Sequence, residues 1–123
     1  MENAITFQRL KKEYRDRFAL AEGYYLLLFS LNNIHLTERE LQLIAFSAIK
    51  GNLSSANVRE EFCKIYNTSF PTISNMISRL RKLNIVIKED RKIKINPRII
   101  LNFEKDVILE IKLLYGQTNN PVN

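Results

Sequence analysis

On a helical wheel over residues 70–83, Pro71, Asn75, Ser78 and Lys82 share one face, flanked by Ser74 and Arg79. Thr72 in the first turn and Arg81 near the end complete a small, polar, cationic set, and no acid occurs anywhere from Phe70 to Lys88. Groups of these kinds suit approach to a polyanion. An arginine can bond a guanine edge in two places, an asparagine an adenine edge, and a serine hydroxyl either a base or a phosphate. Arg79, Asn75 and Ser78 are placed for those roles, with Arg81 and Lys82 as phosphate clamps. Further on, Lys88, Arg91 and Lys92 are candidates for phosphate or minor-groove contact. An ordinary amphipathic surface helix is the bland alternative, but solvated faces usually mix Glu with Lys, and this one does not.

Other chemistries lack parts. His35 is the one histidine and stands just before a helix start, with no nucleophile or acid arranged around it. Cys63 is the one cysteine, beside an inward-facing Phe62, and reads as a structural thiol. The three glycines are scattered at 23, 51 and 116, so there is no phosphate-cradling loop. The expectation is a chain without catalytic residues, metal site or cofactor. Aromatic residues sit at core spacing rather than on an exposed stacking strip, which argues against single-strand binding.

Charge is localised. The chain of 123 residues carries a net +6, and residues 79–98 hold eight of its 19 basic residues against two of its 13 acids. The remainder is neutral. A basic excess confined to one supersecondary unit is an electrostatic footprint. The apolar fraction of 46% is that of a globular domain with a real core. The longest apolar run, Tyr24 to Phe29, is far short of the ~20 residues a membrane helix needs. With no secretory leader visible and no disulfide to form, a cytoplasmic location is expected.

The elements that must position the cationic face follow from local signals. Opposite it, Ile73, Met76, Ile77, Leu80 and Leu83 form an apolar stripe. Ser69 caps this helix and Pro71 sits in its first turn. Asn84 follows, where left-handed backbone ends a helix. Before it, Ala56 to Tyr66 reads as a helix capped by Ser54-Ser55, with Val58, Phe62 and Ile65 inward, and Asn67-Thr68-Ser69 is the turn between the two. Leu36 to Gly51 carries a capping box, Thr37 with Glu40, and Gly51 stops it. That helix is apolar on two sides: Leu41, Ile44, Ala45 and Ala48 on one, Leu43 and Phe46 on the other. Its second side needs the N-terminal segment or a second subunit. Ile85-Val86-Ile87 and Ile93-Lys94-Ile95 flank a polar turn and form a hairpin, ended by Asn96-Pro97.

Residues 36–96 resemble a winged helix-turn-helix of the MarR-like kind. The segments LTERELQLIAF, SSANVREEFCKIYNTSFPTISNMISRLRKLNIV and IKEDRKIKI carry the likeness, which covers about half the chain. TISNMISRLRKLNIV is similar to the family's Thr, small-polar and Arg pattern ahead of Leu-x-x-x-Gly-Leu/Ile-Val. Small winged-helix proteins of phages and mobile elements share this general look. Asn84 stands where the family has Gly, the wing turn is shorter, and the flanks do not match long terminal dimerisation helices.

The expected architecture is mainly α with a small β wing (α+β): a winged helix-turn-helix with an N-terminal helical extension. Residues 1–35 form the extension, a moderately amphipathic helix over 4–21, an interruption at Glu22-Gly23, then a helix over Tyr24 to Leu31. Residues 36–96 form the winged domain. Residues 97–115 form an element on the wing, with 107–115 favoured as a strand over a helix, and 116–123 a disordered tail. The function implied is sequence-specific double-stranded DNA binding by a transcriptional regulator, as a homodimer through the N-terminal segment. The alternative is a phage virion or assembly protein that uses the fold for protein contacts; an accessory to a replication initiator is a third reading.

Overall fold

A computed structural model describes Thr6, Gln8 and residues 11–115. Its elements are α1 (Arg17–Leu31), α2 (Glu38–Lys50), α3 (Ala56–Tyr66), α4 (Phe70–Lys82), β1 (Val86–Glu89), β2 (Lys92–Ile95) and a 3₁₀ turn at Pro97–Ile99. This is a mainly helical chain with a small antiparallel hairpin, in the layout of a winged helix-turn-helix.

Among the described residues, asparagine ends three of the four α-helices. Asn33, Asn67 and Asn84 have φ of 57°, 51° and 60°, after α1, α3 and α4. A short amide side chain tolerates this left-handed backbone better than most residues do. At α4 the motif is complete: the Ile85 amide donates to the Leu80 carbonyl at 3.0 Å and the Asn84 amide to the Arg81 carbonyl at 3.0 Å. These bonds occupy carbonyls that a helix end otherwise leaves orphaned. Only α2 stops on glycine, Gly51 at φ 95°. Its start is the capping box expected: the Thr37 amide donates to Glu40 Oε1 at 2.8 Å, and the Glu40 amide to Thr37 Oγ1 at 3.1 Å. Ser55 occupies the α3 cap position without a side-chain bond, whereas the Ser54 hydroxyl turns to Asn52 and to the Arg91 carbonyl.

Helix α2 is the centre of the core. Leu43, Ile44 and Phe46 are fully buried, with Leu41 and Ala45 nearly so. Phe18 of α1 stacks on Phe46 with ring centroids 5.6 Å apart, and Phe62 of α3 meets the same ring edge-on at 5.4 Å. The second apolar side of α2 is therefore covered by α1 of the same chain. Tyr25 and Phe29, in the N-terminal segment expected to carry the homodimer contact, are buried too, leaving Leu26 and Leu31 exposed on that helix.

The flanks depart from expectation. Helix α1 begins at Arg17, with Asp16 accepting from the Ala19 amide at 2.8 Å, and runs unbroken through Gly23. Residues 11–16 form no helix, and Ile5 and Leu10 lie outside the described residues. An interior glycine costs about 1 kcal/mol rather than ending a helix. Here it also clears space, since a Cβ on Gly23 would lie 2.4 Å from the Tyr14 hydroxyl. Residues 107–115 are neither strand nor helix, and the hairpin has two strands. The outer edge of β2 is already occupied: the Leu53 amide donates to the Ile93 carbonyl at 2.7 Å, and Asn52 Oδ1 accepts from the Ile93 amide at 3.0 Å.

The segment after the wing packs on α1 instead. Tyr25 Oη donates to the Ile99 carbonyl at 2.9 Å, Phe103 is buried against Tyr24 and Tyr25, and Arg17 pairs with Glu104 at 3.1 Å. Two residues assigned inward are instead largely exposed, Ile65 at 56% and Leu83 at 40%. Ile65 lies in the last turn of α3 and Leu83 is the cap residue of α4, where a periodic stripe leaves the packed part of each helix. The tail 116–123 lies outside the described residues.

Candidate functional site

Helix α4 is placed by its apolar stripe. Ile73, Met76, Ile77 and Leu80 are buried, and Pro71, Thr72, Ser74, Asn75, Ser78, Arg79, Arg81 and Lys82 are exposed. The Ser69 hydroxyl faces the Thr72 hydroxyl at 2.9 Å and accepts from the Thr72 amide at 3.4 Å, so Thr72 is tied into the cap. Ser74 is also engaged. Its Oγ accepts from an Arg59 terminal nitrogen at 3.1 Å, while Arg59 Nε donates to the Leu53 carbonyl at 2.6 Å. Arg59 of α3 thus links the two helices and the loop beside the wing. It lies off the inward stripe of Val58, Phe62 and Ile65, so periodicity gives no sign of this role.

Arg79 has a different surrounding from the one its sequence position suggests. Its guanidinium forms an ion pair with Glu40, and a second nitrogen donates to the His35 carbonyl at 3.1 Å. Glu40 is 4% exposed and already accepts from the Thr37 amide, so one carboxylate oxygen joins the α2 cap to α4. Burial pushes the Glu40 carboxyl up. The Arg79 donor and charge, with the Thr37 bonds, outweigh burial and hold it below the ordinary value of 4.5. Arg79 is half exposed, but two of its donors are taken within the chain.

Asn75, Ser78, Arg81 and Lys82 differ. Among the described residues, none of their side chains has a hydrogen-bond or ion-pair partner. They lie within about two turns of one helix, with the basic residues in the last turn, where cations favour the helix dipole.

The wing extends the cationic surface. Its register pairs Val86 with Ile95, Ile87 with Lys94, Lys88 with Ile93 and Glu89 with Lys92. Asp90 and Arg91 make the two-residue turn, at φ 52° and 65°. Two positive φ angles are what a tight hairpin of right-twisted strands requires. Glu89 takes Lys94 as its partner at 2.7 Å, a diagonal contact that holds its carboxyl below the ordinary value. Lys88, Arg91 and Lys92 are exposed, with no ion-pair partner among the described residues. A cavity of about 340 Å³ opens at the base of the hairpin, lined by Ser47, Gly51, Asn52, Lys92, Lys94 and Ile95 among others.

The chain matches no family model, no curated protein and no solved structure. His35 is exposed and contributes its carbonyl to Arg79. Cys63 is half-buried and packs against the core.

Proposed function

We propose that this chain is a sequence-specific double-stranded DNA-binding protein, a transcriptional regulator of MarR-like build working in the cytoplasm. Helix α4 enters the major groove and the hairpin of β1 and β2 runs along the backbone. The observation that carries this reading is the unpartnered set Asn75, Ser78, Arg81 and Lys82 on an acid-free helix face. Asn75 offers an amide that can bond an adenine edge at two points, and Ser78 a hydroxyl for base or phosphate. Arg81 and Lys82 neutralise phosphates, as do Lys88, Arg91 and Lys92 from the wing.

Arg79 takes a revised role. Held by Glu40 and the His35 carbonyl, it sets the angle of α4 against α2 and adds positive potential. Reading a guanine edge would require it to release Glu40.

The test is selection of bound sequences from a random duplex pool, repeated with Asn75→Ala. A defined motif is expected for the native chain, and the variant relaxes one position by about 1–3 kcal/mol. Equal loss on every sequence would reduce Asn75 to a backbone contact, and no enriched motif would count against sequence-specific binding.

A second reading, a structural component of a virion or other assembly, draws on a different observation. Residues 108–115 are exposed and largely apolar, with Ile108 at 93% and Leu113, Leu114 and Tyr115 above 80%. That role predicts a large ordered assembly and little affinity for duplex DNA.

A further inference from the structure

The same exposed segment supports a narrower conclusion. From Val107 to Tyr115 the chain reads VILEIKLLY, in which seven of nine residues are apolar. Only Val107 packs on the core. The remainder forms neither helix nor strand and has no strand partner among the described residues, although its sequence alternates as a strand does. An apolar, β-prone segment with unpaired backbone groups is a template for pairing. It cannot be satisfied at β2, whose outer edge Asn52 and Leu53 occupy.

We propose that residues 107–115 pair antiparallel with the same segment of a second copy, about a two-fold axis through Ile111. Charge complementarity identifies the occupant. In this register residue 110 of one copy faces residue 112 of the other, so Glu110 meets the second copy's Lys112 and the reverse. The two charges already approach each other within one chain at 3.8 Å, and both side chains are more than 70% exposed. Leu109 then faces Leu113, Ile108 faces Leu114, Val107 faces Tyr115, and Ile111 faces itself. Every apolar residue meets an apolar residue, and both charges meet opposites. Parallel in-register pairing would instead set Glu110 against Glu110 and Lys112 against Lys112, which is unfavourable for directly opposed residues. A two-fold contact is also self-limiting, so it closes into a dimer. This pairing does not depend on whether the chain binds DNA.

The test is sedimentation velocity on the full chain over a range of concentrations, with Glu110→Lys, Lys112→Glu and the double exchange. All the substitutions lie at exposed positions outside helix and strand, and unchanged thermal melting would confirm that the fold is intact. The native chain is expected to form a discrete dimer. Each single variant puts like charges opposite one another at two places and weakens the dimer by roughly tenfold or more. The double exchange restores it, as does an equimolar mixture of the two single variants, to native strength. A native chain that stays monomeric or polymerises without limit would overturn the proposal. So would single variants that dimerise like the native chain, or a mixture that binds much more tightly than the native chain, which is the mark of parallel pairing.

Discussion

The winged unit of residues 36–96 and its two flanks are organised by different kinds of contact. In the winged unit almost every boundary is set by a neighbour a few residues away: Thr37 with Glu40, Ser69 with Thr72, Asn84 with Ile85 and Leu80. In the flanks the deciding contacts are distant. Tyr25 reaches Ile99, Arg17 reaches Glu104, and Phe18 lies on Phe46. Local contacts build the part that presents α4 and the hairpin to solvent. Long-range contacts bury the second side of α2, without which that unit would carry an exposed apolar face.

The largest effect should come from breaking that long-range seam. Phe46→Ala removes a fully buried ring that touches both α1 and α3, and should cost about 3–5 kcal/mol in denaturant unfolding. A loss under ~1 kcal/mol would mean that α1 is not integral to the core.

Arg79→Ala tests the bond between the α2 cap and α4. It leaves the buried Glu40 carboxylate without its cation, so the melting temperature should fall by several degrees. Glu40 has a folded-state value below its ordinary 4.5, so its contribution is fully present above that pH and is lost as pH falls through the lower folded value. The stability difference between native chain and variant should therefore narrow below pH 4.5. A difference independent of pH would show that Arg79 acts through packing instead.

Arg91→Gly sharpens the contrast between stability and binding within the wing. The residue sits at φ 65°, where a side chain is strained, so glycine should stabilise the fold by roughly 0.5–1 kcal/mol while weakening DNA affinity through loss of a cation. Thermal melting and a binding titration on the same sample separate the two effects. The smallest change is expected for Gly23→Ala. Helix propensity favours alanine by about 1 kcal/mol, but the half-exposed Tyr14 ring must shift to admit the methyl group, so the net change should stay within about 1 kcal/mol of zero.

The limits of sequence reading follow the same division. The capping box, Gly51, Ser69 with Pro71, Asn84 and the hairpin were legible because each is a local pattern with a local physical cause. Arg79 appeared to be a free base-reading residue because its partner lies 39 positions away and was accounted for only as a cap. The role of Arg59 was hidden for the same reason, since Ser74 and Leu53 become its neighbours only in the fold. The strand expected at 107–115 illustrates a third limit. Alternation shows that a segment can pair, but not whether an edge is open to it, and the Asn52 side chain that closes β2 belongs to a loop with no strand signal of its own.

The most direct test of the central claim is the salt dependence of binding to random-sequence duplex DNA, for the native chain and for Arg81→Ala/Lys82→Ala. Each neutralised phosphate adds close to 0.9 to the slope of log affinity against log salt, so the double variant should bind more weakly with a slope reduced by about 2. A folded native chain that does not bind at low salt, or a double variant that keeps the native slope, would contradict a DNA-facing role for α4.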